Sequence, residues 1–208
     1  VPAEGDAPRL YLVTPPVFEP EDLAGRLAPV LAAGGVACLR LDLAEGSEDA
    51  WTRAANHLLP VCHEAEVPLL VRDHHRLVAP LGLDGVHLAD SRTPLKEVRR
   101  ALGPDRIVGA AGGTTRHVGM TLAEAGADYV SLGPVRTEGA LGDGALAGDD
   151  LFEWWAEMIE TPVVAEGGVT PADVARLADL ADFFVPAATL WETADLRAAL
   201  APYLEALG

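Results

Sequence analysis

A single-domain α/β barrel of the (β/α)8 type, spanning residues 1–208, is the architecture this sequence predicts. Three observations point to it. Eight short apolar segments recur, each followed by a helical pattern or by room for one. The units repeat about every 25 residues, which matches a barrel at the short end of its length range. After the first segment stands Thr14-Pro15-Pro16, not the G-x-G-x-x-G of a doubly wound open sheet, the competing α/β fold. A chain of 208 residues, 50% of them hydrophobic, suits one domain with a sizeable core.

The strand segments fall at roughly 9–14, 36–41, 67–72, 85–89, 106–111, 128–133, 162–166 and 182–188. They read as continuous apolar runs, as parallel strands do when helices cover both faces of the sheet. Between them, Glu19 to Ala33 places Leu23, Leu27, Val30 and Leu31 at helical spacing. Ser47 caps a helix running to about Glu66, with Trp51, Ala54, Ala55, Leu58 and Leu59 on one face. Pro60 is expected to kink or split it. Thr93-Pro94 pairs an N-cap with proline at the first helical position. Thr114 or Thr115 starts a helix to Ala125, which Gly126 ends. Asp149 or Asp150 caps Leu151 to Glu160, Thr170-Pro171 repeats the Thr-Pro start signal, and Asp195 opens a last helix. The long loop Arg136 to Gly148, rich in Gly and Ala, is expected to be a mobile lid or a decayed insertion. Trp154-Trp155 lies beside Phe152 and Met158 on an amphipathic helix, so one tryptophan is expected at a subunit interface, which allows a homodimer.

Composition narrows the function classes. The net charge of −17 repels nucleic acid and anionic membranes, so neither is expected as a partner. Only Lys96 among the 15 basic residues is a lysine. Cys38 sits in an apolar run and Cys62 in a helical pattern, and both are expected to be reduced core residues. No apolar stretch reaches the length of a transmembrane helix. Val1 to Asp6 shows neither a basic nor an apolar leader pattern, and a cytoplasmic location is expected.

In a barrel, chemistry collects at the C-terminal ends of the strands. Those ends supply Arg40 and Asp42, Arg72 and Asp73, His87 and Asp90, Gly112 and Gly113, Gly133 and Arg136, and Glu166 with Gly167 and Gly168. Gly167-Gly168 opens the seventh helix, where glycine lets backbone N–H groups approach a phosphate. The alternative is a tight turn that merely needs glycine, and Glu166 opposes a neighbouring anion unless it is paired. Asp73 with Asp90 forms a candidate Mg²⁺ pair, with ion pairing to Arg40, Arg72 or Arg92 as the competing use. His74 and His75 are adjacent, so their side chains diverge. His87 alternates with Val86 and Leu88 and is expected to face the barrel interior, as a core histidine or as an acid–base group.

Tyr11-Leu12-Val13-Thr14, Asp84-Gly85-Val86-His87-Leu88, Gly126-Ala127-Asp128-Tyr129-Val130, Gly133-Pro134-Val135 and Pro162-Val163-Val164-Ala165-Glu166-Gly167-Gly168-Val169-Thr170 occur in this order along nearly the whole chain. Together they resemble the thiamine phosphate synthase family and its sister group, the thiazole tautomerases. The resemblance implies a (β/α)8 TIM barrel that joins hydroxymethylpyrimidine diphosphate to a thiazole phosphate with Mg²⁺, releasing pyrophosphate. In such an ionising displacement cations meet the charge that develops on the leaving diphosphate. It implies Arg40, Arg72 and Arg136 in the catalytic positions and Thr137, Gly167, Gly168, Ala188 and His87 against the substrates. Asp73 and Asp90 would hold Mg²⁺.

Several positions depart from that family's pattern. Gln-x-Arg-x-Lys after the second strand is represented by Arg40, Asp42 and Ala44, and Asn-Asp after the third by Arg72-Asp73. The second magnesium aspartate is Arg92, with Asp90 as a deputy. A serine after the fifth strand is Ala111, the serine of the eighth is Ala188, and the tautomerase histidine is Gly113. Residues 136–148 contain no lysine. The arginines therefore either rebuild a site for a phosphorylated heterocycle or pair with Asp42, Asp73, Asp90 and Glu166, leaving a catalytically inactive or repurposed barrel that binds a phosphorylated or anionic small ligand.

Overall fold

Strand β1 (Arg9–Val13) pairs with β2 on one edge and β8 on the other, which closes the sheet. All eight strands are parallel and follow in chain order around the closed barrel: β2 (Val36–Leu41), β3 (Leu69–Arg72), β4 (Gly85–Leu88), β5 (Ile107–Gly113), β6 (Tyr129–Leu132), β7 (Val163–Val169) and β8 (Phe183–Pro186). The predicted (β/α)8 barrel is thus the architecture of the chain. The computed structural model describes residues 8–44, 46–90, 93–137 and 144–208. Arg92 and the middle of the loop after β6 lie outside them.

Helices follow the strands: α1 (Pro20–Leu31), α2 (Glu48–Glu64), α3 (Val78–Leu81), α4 (Leu95–Leu102), α5 (Arg116–Glu124), α6 (Asp149–Met158), α7 (Pro171–Leu177) and α8 (Leu196–Leu207). α2 continues through Pro60. Two helix starts differ from the expectation. Pro94 is itself the N-cap of α4, with extended backbone. Gly148 is the N-cap of α6, so Asp149 and Asp150 sit in its first turn, where acidic side chains favour the helix dipole. Ser47, Thr115 and Asp195 accept backbone N–H groups as expected caps. β8 stops at Pro186, and Ala188 opens a short 3-10 turn. Among the described residues no helix is long and apolar enough to cross a membrane.

The apolar strand runs divide between two cores by the period-2 alternation of side chains. Leu10, Leu12, Leu39, Leu41, Val86, Val130, Val163 and Phe184 pack under the helices. Tyr11, Cys38, Leu70, Tyr129, Val164 and Val185 fill the barrel itself. Both cysteines are free and buried, as expected. Trp155 belongs to the outer core, because Gly119 on α5 leaves room for it: a Cβ there would come 2.4 Å from the indole. That corrects any placement of Trp155 at an interface, while Trp154 is half-buried beneath Arg116.

Three aspartates tie the sheet together. Asp84, Asp128 and Asp182 stand just before β4, β6 and β8. Their carboxylates accept the N–H of Leu69 (2.8 Å), Val108 (2.7 Å) and Val163 (2.7 Å) near the start of the preceding strand. Each satisfies a backbone donor within the first two residues of the strand.

Inside the barrel, Gly109 faces Tyr129 across the β5–β6 pairing. A Cβ at residue 109 would lie 2.0 Å from the phenol ring, so only glycine lets the ring cross the barrel. Gly109→Ala is expected to destabilise the fold by about 1–3 kcal/mol through overpacking, measured by chemical denaturation. An unchanged midpoint would show that the ring has room to move.

Candidate functional site

One step above the inner core, the same alternation brings Arg40 (β2), Arg72 (β3), His87 (β4), Ala111 (β5), Ser131 (β6) and Glu166 (β7) to the C-terminal mouth of the barrel. They surround a cavity of about 380 Å³, completed by small residues such as Ala89, Gly133, Pro134 and Gly167. The close approach of β6 and β7 depends on glycine. A Cβ at Gly133 would lie 2.2 Å from the Glu166 carbonyl oxygen, and Gly167 has φ 87°.

Arg40 is buried, with 5% of its surface exposed. Its Nη1 donates to Glu166 Oε2 at 3.2 Å and its Nη2 to Glu166 Oε1, a bidentate pair. Asp42 stands 3.8 Å from the same guanidinium, which also lies over the Tyr11 ring. Arg40 Nε is buried without a partner. Burial pushes the Glu166 carboxyl up, but the Arg40 charge, its hydrogen bonds and one from Ser131 outweigh burial and hold it down at about 2. Arg72 donates from Nη1 to Asp42 Oδ1 at 2.7 Å and from Nε to Asp73 Oδ2 at 3.3 Å. Among the described residues Arg40 and Arg72 thus line the mouth cavity with Asp42 and Glu166, and Asp73, paired to Arg72 from beside it, leaves this cluster with one carboxylate more than guanidinium groups.

His87 faces the interior, as its alternation predicts. Its Nδ1 shares a 2.9 Å hydrogen bond with the Tyr129 hydroxyl, which shares a 2.7 Å bond with the Tyr11 hydroxyl. Burial, then the Arg40 charge, pushes the imidazole pKa down to about 3, so His87 is neutral at physiological pH. This layer of rings separates the mouth from a second cavity of about 360 Å³ at the opposite, N-terminal end of the barrel, which Tyr11 and Tyr129 roof.

The remaining predicted residues are spread around this centre. Arg136 and Thr137 line a separate cavity of about 350 Å³ with Asp173 and Arg176. There Arg136 donates to both oxygens of Asp173, at 3.1 Å from Nη2, and Asp173 also caps α7 through Thr170. Gly167 lines the mouth, whereas Gly168 and Ala188 do not, and Ala188 is exposed on its 3-10 turn. Asp90 is exposed beyond β4. His74 packs tilted against Trp51, ring centroids 4.4 Å apart. Sequence reasoning missed Ser131, Tyr129 and Tyr11 as parts of the site. The available signal was the spacing of two that separates Tyr129 from Ser131 on one strand face.

Mg²⁺ can be tested against these donors. Asp73 Oδ1 accepts the Ala89 N–H at 2.8 Å, its Oδ2 takes Arg72, and Asp42 also takes Arg72. Among the described residues no group of three His, Cys, Asp or Glu side chains is arranged to hold a metal. One or two carboxylates with water can hold Mg²⁺, so what decides is whether their oxygens are free of another cation. The donors present, already shared with a guanidinium, do not fit Mg²⁺.

Comparisons with known proteins agree with the fold. A family model described as thiamine monophosphate synthase matches residues 10–184. A thiamine-phosphate synthase from Rhodospirillum centenum is 39% identical over 184 residues, 88% of this chain and 89% of that protein. One from Hyphomonas neptunium is 35% identical over 209 residues, 96% of this chain and 93% of its own length. Among solved structures, thiamine phosphate pyrophosphorylase from Pyrococcus furiosus superposes with a TM-score of 0.81 at 22% identity, covering 96% of this chain and 95% of that one.

Proposed function

This chain belongs to the thiamine monophosphate synthase family, and from that premise we propose that it is a repurposed member, holding a small uncharged heterocycle at the barrel mouth without condensing it. One observation carries the reading. Arg40, Arg72 and Arg136, the new arginines near the face where the family's cations are lost, each hold an internal carboxylate: Glu166, Asp42 with Asp73, and Asp173.

A leaving diphosphate needs cations free to meet its developing charge, and each lost donor costs on the order of 2–4 kcal/mol of transition-state stabilisation. A mouth whose arginines are already paired with carboxylates offers something else. Glu166, its charge met by the buried Arg40, lines the mouth with Ser131 and neutral His87 beside small apolar walls. That surface suits a flat ring with adjacent hydrogen-bonding groups and no net charge.

A second reading, turnover to thiamine phosphate, is favoured by the relatives named thiamine-phosphate synthase at 39% and 35% identity. One experiment separates the two. Purified protein is mixed with hydroxymethylpyrimidine diphosphate, thiazole phosphate and Mg²⁺, and thiamine phosphate is followed, while calorimetry compares hydroxymethylpyrimidine with its diphosphate. The expected result is no product, with the uncharged pyrimidine bound at least as tightly as the diphosphate. Product formation that Asp73→Ala abolishes establishes the second reading instead.

A further inference from the structure

We propose that Arg72 is the fixed cation of this mouth, seated between Asp42 and Asp73 where a divalent ion would otherwise bridge carboxylates, so that the pocket works without a divalent metal. The inference rests on the disagreement between the donor set and Mg²⁺, and not on whether condensation occurs.

The geometry is specific. Arg72 ends β3 on the inner face, in register with His87 on β4. Two nitrogens of its guanidinium each meet a different carboxylate, Nη1 with Asp42 at 2.7 Å and Nε with Asp73 at 3.3 Å. Both acids are anchored from behind. Asp42 N donates to the Thr14 hydroxyl, which in turn donates to the Asp42 carbonyl. Asp73 is a non-glycine residue in the left-handed region, φ 57°, its N–H donating to the His87 carbonyl at 2.9 Å and its Oδ1 accepting from Ala89. Two carboxylates on adjacent strand ends are thus presented to one cation, and that cation is covalently part of the chain.

An arginine differs from a metal in this role. It cannot dissociate, it is always charged, and it fixes two carboxylates by directional N–H bonds. The two acids draw its proton affinity further upward, against the effect of partial burial. A divalent ion arriving at Asp73 meets a positive charge at contact distance and must also break the Arg72 bonds. Without that side chain, Asp42 and Asp73 become hard oxygen donors with no counter-charge between them, the kind of set that Mg²⁺ or Mn²⁺ takes with water completing the shell.

The test is Mn²⁺ titration of the full chain, followed by the EPR signal of free Mn²⁺, with thermal melts in Mg²⁺ and in chelator. Wild type is expected to leave millimolar Mn²⁺ free and to melt identically in both. Arg72→Met is expected to gain Mn²⁺ affinity on the order of tenfold or more. Arg72→Lys, which keeps the charge, behaves as wild type, and Asp73→Asn added to Arg72→Met cancels the gain. Arg72→Gln gives the same readout if methionine unfolds the mouth, as judged by circular dichroism. Stoichiometric Mn²⁺ binding by wild type that Asp73→Asn removes overturns the proposal. So does a folded charge-removing variant that binds no better than wild type. None of these measurements needs an organic ligand, so their outcome is independent of the condensation assay.

Discussion

Glu166→Ala is expected to destabilise the barrel by about 3–5 kcal/mol, because it leaves the buried Arg40 guanidinium without its counter-charge. Asp42, at 3.8 Å, is too distant to replace two direct hydrogen bonds. Removing both charges relieves the problem, since a buried ion pair exchanged for apolar groups of similar size is often neutral or stabilising. Arg40→Met with Glu166→Leu should therefore cost far less than the sum of its single changes. Urea unfolding of the four proteins measures the cycle. A Glu166→Ala variant within about 1 kcal/mol of wild type would mean that the pair is solvated and that the mouth is not held closed from within.

Acid is expected to lower the stability of this protein in two stages. The His87 imidazole has a pKa of about 3 in the folded state against an ordinary 6.5, so the unfolded chain binds a proton there first. Its contribution to stability is complete above pH 6.5 and falls as pH drops, by about 1.4 kcal/mol per pH unit. Between pH 6.5 and pH 4.5 that amounts to roughly 3 kcal/mol. Below pH 4.5 the Glu166 carboxyl, held at about 2 in the fold, adds a second proton and steepens the loss. Denaturant midpoints across this range, compared with His87→Gln, isolate the first stage. A variant whose stability falls with the same slope as wild type between pH 6.5 and 4.5 would remove His87 from the account.

The barrel was legible because each strand is an apolar run with a small or polar residue at its end, and closure follows from eight such units in order. Glu166 appeared in the sequence as an obstacle to phosphate beside Gly167. Its partner was hidden, because Arg40 lies 126 residues away and the two meet only once the barrel closes. Tyr129 and Ser131 were hidden differently. A strand buried on both faces shows no polarity alternation, so the inward set must be inferred from its neighbours. Arg136 follows a strand end as Arg40 does, but the loop after β6 carries it to Asp173 at the start of α7. Trp155 looked like a candidate contact until Gly119, on a different helix, supplied its socket.

The ring layer formed by Tyr11, Tyr129 and His87 makes the barrel a cup with a sealed base. Among the described residues a molecule that enters at the top finds no passage through that layer, so release through the base is closed to it. Two ligands in the mouth would have to leave in the reverse of the order in which they arrived, and a competitor resting on the second would trap the first beneath it.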